Sequence, residues 1–156
     1  MIDTPTILRT EPLHYACLRR QCQPADIGKI MGPCVQEVAA VLKAQNRTPS
    51  GAWFTHHFRR PIDFFDLEIC FPVDTAIERH GEVYPAIWPA MTLARTIFHG
   101  NYSGMAGAWG QLEAWMKAEH HPGRSEFWER YLVNPNDTPT PDDWRTELNW
   151  PLASEA

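Results

Sequence analysis

The sequence predicts an α+β fold: two pseudo-two-fold β-β-α-β-β repeats in tandem, forming antiparallel sheet with two main helices that flank a ligand groove. Two observations carry this. The segments Phe65-Asp-Leu-Glu-Ile-Cys-Phe-Pro-Val73 and Trp144-Arg-Thr-Glu-Leu-Asn-Trp-Pro-Leu152 each begin with an aromatic residue, place a glutamate fourth (Glu68, Glu147) and end aromatic-Pro-aliphatic. Upstream, Val38-Ala-Ala-Val-Leu-Lys-Ala44 answers Leu112-Glu-Ala-Trp-Met-Lys-Ala118, both apolar at the spacing of a helix face.

The elements follow in chain order. Residues 6–10 and 15–20 read as strands, and a helix runs to about Ala44 with Gly32-Pro33 in its first turn, where a proline loses nothing by lacking an N–H. Aromatic strands follow at 53–58 and 65–73, and the charged stretch 74–81 is a connection. The second half repeats the order with strands at 82–88 and 92–99. Its helix has Ser103 as N-cap and Met105, Trp109, Leu112 and Met116 on one face. A strand at 127–133, a Pro/Asp/Thr-rich loop at 134–143 and the strand 144–152 complete it. A one-sided sheet with a single helix cannot bury its apolar face alone, so the halves, about 1–76 and 77–156, are expected to share a core as a single domain, with the groove at their seam.

Composition narrows the function. With 156 residues and 44% hydrophobic content the chain can bury a core, and a net charge of −5 without a basic run disfavours direct nucleic-acid binding. It has no apolar run long enough to cross a bilayer and no basic-then-apolar leader, so a cytoplasmic protein that does not enter the membrane is expected. Cys17, Cys22, Cys34 and Cys70 lack metal-ligand spacing and read as small buried apolar residues. Seven Trp, seven Phe and four Tyr exceed what a core of this size needs, which points some of them at a ligand.

Phe98-His-Gly-Asn-Tyr102, Trp109 and Trp115, Glu129-Arg-Tyr-Leu132, Pro135 and Thr146-Glu-Leu-Asn-Trp-Pro-Leu152 together resemble the second half of GyrI-like, or bacterial transcription-activator effector-binding, domains. The resemblance is strongest over 94–152 and returns at 66–73; Cys22 stands where the family's turn glycine belongs, and Gly32-Pro33 also departs from the pattern. It implies SH2-like halves and a groove for organic molecules, with an acidic residue on the last strand meeting a ligand's positive charge. Glu147 matches that position. Some relatives carry a DNA-reading helix-turn-helix, for which there is no room before the first strand, so the chain resembles a stand-alone member. Such members are associated with drug sequestration, gyrase modulation and hydrolysis of strained cyclopropane rings, among which fold alone does not choose.

Strand alternation by itself leaves Glu147 either solvated on a polar face with Arg145 and Asn149 or desolvated in a groove; the resemblance favours the groove. Glu68 shares the repeat position, with an exposed acidic face as its other reading. Glu129 and Tyr131 alternate onto one side of their strand. As a hydrolase the protein would use Glu147, Tyr131 and Glu129, a carboxylate activating water and a hydroxyl or second acid protonating the leaving position. As a binder it would use Glu147, Glu68, Trp53, Phe54, Trp88, Trp109, Tyr131 and Asn149, with Trp128 and Trp150 further aromatic candidates and Trp115 in the core.

His56-His57 and His120-His121 lack a third ligand at motif spacing, so no metal is expected, and no cofactor motif occurs. The leading expectation is non-catalytic binding of a small hydrophobic or cationic molecule, as a xenobiotic sensor or sequestering protein. A hydrolase of electrophilic xenobiotics in the same pocket, or a protein-interaction module such as a gyrase modulator, is the alternative.

Overall fold

The computed structural model describes residues 1–153. In chain order the elements are β1 (Thr6–Arg9), β2 (Leu13–Cys22), α1 (Ile27–Ala44), β3 (Phe54–His57), β4 (Phe65–Pro72), β5 (Tyr84–Trp88), β6 (Thr92–His99), α2 (Met105–Ala118), β7 (Phe127–Val133) and β8 (Arg145–Pro151), with short 3-10 turns before α1, α2 and β8. The chain divides into two compact units: a contiguous one, Glu11–Ala90, and a split one, Met1–Thr10 with Met91–Ala156.

Each unit is a four-stranded antiparallel sheet with one helix. The contiguous unit has strand order β3-β4-β2-β5 and the split unit β7-β8-β6-β1, the same arrangement twice. The leading strands are exchanged relative to the expected halves. β1 pairs with β6 (Thr6↔Arg95), and β5 pairs with β2 (Cys17↔Tyr84). Each exchanged strand joins its successor through a short connection containing a proline, Pro12 or Pro89, which cannot supply the amide that a tight hairpin ladder would use.

Alternation then assigns the faces. In the contiguous unit Ala16, Leu18, Leu67 and Ile69 pack against Cys34, Val38, Val41 and Leu42 of α1. Tyr15, Cys17, Arg19, Asp66, Glu68 and Cys70 consequently occupy the opposite face. In the split unit Ala94, Phe98, Leu148 and Trp150 pack against Ala108, Leu112 and Met116 of α2. Arg95, Glu147 and Asn149 fall on the face away from α2, beside Trp128 and Arg130 by register. Packing beneath Trp150 is tight. A Cβ on Gly123 would sit 2.2 Å from its Nε1, which donates to the Arg124 carbonyl at 2.7 Å, so only glycine fits.

Both helices stop the same way. The N–H of Arg47 reaches the Leu42 carbonyl and that of His121 the Met116 carbonyl, each at 2.8 Å, across a residue in the left-handed region, Asn46 (φ 55°) and His120 (φ 60°). The helix starts correct the sequence reading. α1 begins at Ile27, so Pro33 lies inside it rather than in its first turn; the residue is exposed, and water can satisfy the carbonyl it leaves unpaired. Ser103 is not the N-cap of α2. Asn101 caps the preceding 3-10 turn, its side chain accepting from the Ser103 N–H at 3.1 Å, and α2 follows from Gly104. No helix among the described residues is long and apolar enough to cross a membrane.

Candidate functional site

Glu68 stands in the middle of β4 on the face away from α1 and is 4% exposed. Its Oε1 accepts the Tyr15 hydroxyl at 2.9 Å and lies 2.8 Å from His56 Nδ1; its Oε2 accepts the Cys17 thiol at 3.3 Å and the Tyr84 hydroxyl. Four donors thus occupy the roughly four acceptor positions of a carboxylate. Burial pushes the Glu68 pKa up, but the bonds from His56, Tyr84 and Tyr15 outweigh it and hold the group below its ordinary value. The two tyrosines move the other way. Burial drives both far upward, Glu68 adds to the effect, and they remain protonated donors.

Among the described residues no arginine or lysine pairs with Glu68. Arg19, directly across the ladder from it, turns instead to Asp66 with two bonds of 3.0 and 2.8 Å and lies 4.0 Å over the Phe58 ring. Those bonds hold the Asp66 carboxyl below its usual range. Aromatic rings continue the Glu68 face: Tyr15 meets Phe54 edge-on at 5.3 Å, and Phe54 meets Trp88 at 5.4 Å.

Glu147, the repeat counterpart on β8, is similarly buried, 8% exposed, but has two guanidinium groups beside it. Its Oε1 lies 3.4 Å from Arg95 Nε and 3.6 Å from Arg130 Nε, and accepts from Asn149 Nδ2 at 2.9 Å. Arg95 Nε in turn donates to Asn149 Oδ1 at 2.6 Å. Burial lowers the Arg95 pKa, Glu147 raises it, and Arg130 adds a smaller lowering.

The hydrolytic set expected from sequence does not assemble. Glu129 and Tyr131 do share a side, and the Tyr131 hydroxyl donates to Glu129 Oε1 at 2.8 Å while Trp109 Nε1 donates to Oε2 at 2.7 Å. That trio faces α2, whereas Glu147 and Asn149 lie on the opposite face, because Glu129 pairs with Leu148 and Arg130 with Glu147. One residue of register separates the two sets. The nearby Tyr102 hydroxyl is pushed up to about 12, by burial first and then by Glu129 and Asp137.

The remaining candidates disperse in the same way. Trp53 packs with the α1 cluster, away from Glu68; Trp88 and Phe54, at 2% and 0% exposure, are wall rather than open surface. Trp150 and Trp115 pack on the α2 side, and Trp128 is buried across from Asn149. His56 binds Glu68, and His57 lies 3.0 Å from the Thr55 hydroxyl. His120 and His121 form the helix stop. Among the described residues no group of three or more His, Cys, Asp or Glu is placed to hold a metal ion. Cys17, Cys34 and Cys70 are buried as expected and Cys22 is half-buried, but Cys17 also acts as a polar donor to Glu68. Sequence reasoning missed Tyr15, Tyr84, His56 and Cys17 as partners of Glu68. Alternation could have put Tyr15 and Cys17 on one face, but only the register brings Tyr84 and His56 to them. A cleft of ≈ 450 Å³ lies elsewhere, on the α1 side, lined by Glu37, Val41, His80 and Val83.

Residues 3–153 match the model of the GyrI-like small molecule binding domain, and the chain belongs to that family. No curated protein matches it in sequence. Among solved structures it is similar to the C-terminal domain of EcmrR, with a TM-score of 0.85 at 20% identity, covering 97% of this chain and 98% of that one. Against EcmrR in its complex with DNA, the chain spans 57% of the regulator (TM-score 0.84, 20% identity, 96% of this chain). A structure of SAV2435 bound to tetraphenylphosphonium superposes with TM-score 0.66 at 9% identity over 97% and 95% of the two chains. A hydrolase from Listeria innocua does so with TM-score 0.69 at 12% identity over 96% and 91%.

Proposed function

We propose that the protein binds a hydrophobic organic cation through Glu68 and the aromatic residues around it, as a sensor or sequestering protein and without chemical conversion. The observation that carries this reading is a buried carboxylate that hydrogen bonds from His56, Tyr84 and Tyr15 hold ionised, with no arginine or lysine paired to it among the described residues. With His56 as the neutral Nδ1–H tautomer, the Glu68 cluster bears one net negative charge, and the half-buried Tyr84 supplies a ring for cation–π contact, backed by the buried rings of Tyr15, Phe54 and Trp88. Glu147, the first choice from sequence, is a poorer candidate because two guanidinium groups already meet its charge. The tetraphenylphosphonium held by SAV2435 is a ligand of this chemical class.

Tryptophan-fluorescence titration with tetraphenylphosphonium, against neutral triphenylphosphine oxide, tests the reading in wild type, Glu68→Gln and Glu147→Gln. Saturable quenching that Glu68→Gln weakens by about tenfold or more, and that Glu147→Gln leaves in place, is the expected result. Equal affinity for the cation and the neutral oxide would sink it. Chromatography of the recovered ligand separates a binder from an enzyme: intact ligand is expected, and consumption abolished by Glu68→Gln would establish a hydrolase at this site instead.

A further inference from the structure

We propose that Cys17 and Cys70 are a redox-active pair that closes to a cross-strand disulfide in the presence of a small hydroperoxide. Cys17 on β2 and Cys70 on β4 are register partners on the face away from α1. The Val73 N–H donates to the His14 carbonyl at 2.9 Å, which makes those two residues a hydrogen-bonded pair. Three residues along the register, Cys17 and Cys70 therefore form a pair of the non-hydrogen-bonded kind. In such a pair the Cα atoms stand about 4.5 Å apart, inside the span of about 4.4–6.8 Å that a disulfide requires.

The thiols already interact: burial first, and then a hydrogen bond with Cys17, push the Cys70 thiol well above its ordinary range. The other two cysteines have no such partner, since Cys22 lies opposite Phe65 and Cys34 belongs to α1.

The two members of the pair differ in what covers them. β4 runs between β2 and β3, whereas β5 alone separates β2 from the sheet edge. Cys17 pairs with Tyr84, the first residue of β5 and the end of that ladder, where an edge strand opens most easily. Opening there uncovers Cys17 and leaves Cys70 in place. The Cys17 sulfur then attacks the peroxide; an S–O bond forms, the O–O bond breaks, and the thiol proton leaves with the departing hydroxide as water. The Cys70 sulfur attacks the resulting sulfenic acid; the S–S bond forms, the S–O bond breaks, and a second water carries off the Cys70 proton. Two thiols and one hydrogen peroxide thus give one disulfide and two waters. The Cys17 thiol donates to Glu68 Oε2 at 3.3 Å, so closing the bond takes one donor from that carboxylate. Disulfide formation does not rest on the cation reading of Glu68.

The test treats the full chain carrying Cys22→Ser and Cys34→Ser, which leaves only the proposed pair, with hydrogen peroxide in buffer free of urea. Alkylation, proteolysis and mass spectrometry follow. Each chain should lose two hydrogens, the peptides holding Cys17 and Cys70 should be joined, and dithiothreitol should separate them. The joined protein should unfold at a higher urea concentration than the reduced one, because the bond closes a long loop in the unfolded chain. With Cys70→Ser added, Cys17 should stop at the sulfenic acid and be trapped by dimedone. If the serine background proves unstable by circular dichroism, wild type gives the same result, because the four cysteines fall in four different tryptic peptides. No joining, joining only at urea concentrations that unfold the chain, or a lower urea midpoint in the joined protein would overturn the proposal.

Discussion

Glu68 and Glu147 hold the same place in two copies of one strand pattern, lie on the same kind of sheet face and are similarly buried, yet their surroundings have opposite electrostatic character. Around Glu68 the donors are two phenols, a thiol and an imidazole; around Glu147 they are two guanidiniums and an amide. The register explains the change. His56 and Arg130 sit opposite the respective glutamates on the neighbouring strands, and Cys17 and Arg95 sit opposite the residues two further along, Cys70 and Asn149. Substitution at these matched positions exchanges imidazole and thiol for two guanidinium groups while the backbone pairing stays the same.

The contrast can be broken or sharpened in several ways. The largest effect should come from the aromatic wall beside Glu68. Phe54 is fully buried against Tyr15 and Trp88, so Phe54→Ala should cost about 3–5 kcal/mol in urea unfolding. A cost under about 1 kcal/mol would mean that Phe54 is not packed into this wall. Next, Tyr84→Phe removes a hydroxyl from Glu68 and should cost about 1–3 kcal/mol. It should also raise the Glu68 pKa, so that cation binding survives at pH 7 but is lost at a higher pH than in wild type as acid is added.

Stability against pH gives a third comparison. The folded-state pKa values of Glu68 and Asp66 are depressed, so their contribution is fully present above the unfolded-state value and is lost as the pH falls through the folded one. Urea midpoints measured downward from neutrality should therefore drop below the ordinary carboxylate range near pH 4, and less steeply in Glu68→Gln. An identical slope in the variant would show that Glu68 contributes nothing to the linkage. The smallest effect concerns the helix stops. His120 holds a left-handed conformation that glycine adopts without strain, so His120→Gly should stabilise by about 0.5–1 kcal/mol. Asn46→Gly in the other unit should gain less, since asparagine tolerates that conformation.

Local pattern made much of the fold legible. The β4/β8 repeat, the alternation of Glu129 with Tyr131 and the end of α1 at Ala44 all follow from periodicities of two or of 3.6 residues, which act within a segment. The start of α1 departs from the sequence expectation because a proline's usual place is the first turn, whereas the exposure of Pro33 makes an interior position tolerable. The site was harder to read. Whether a glutamate meets tyrosines or arginines is decided by residues some 12 to 53 positions away, brought alongside by register. The exchange of β1 and β5 belongs to the same class, because a strand's own sequence records which face it buries and not which neighbour it pairs with.

That exchange also sets an order of events for a chain made from its N-terminus. Residues 11–90 contain every strand of their own sheet and can close it as soon as β5 has emerged. β1 is synthesised before that unit, but its ladder partner β6 arrives only after the whole of it, so its pairing groups stay exposed throughout that interval. A strand made ahead of the contiguous unit thus waits for that unit to be completed before it finds its place, and the split unit matures only on the sheet that β6 begins.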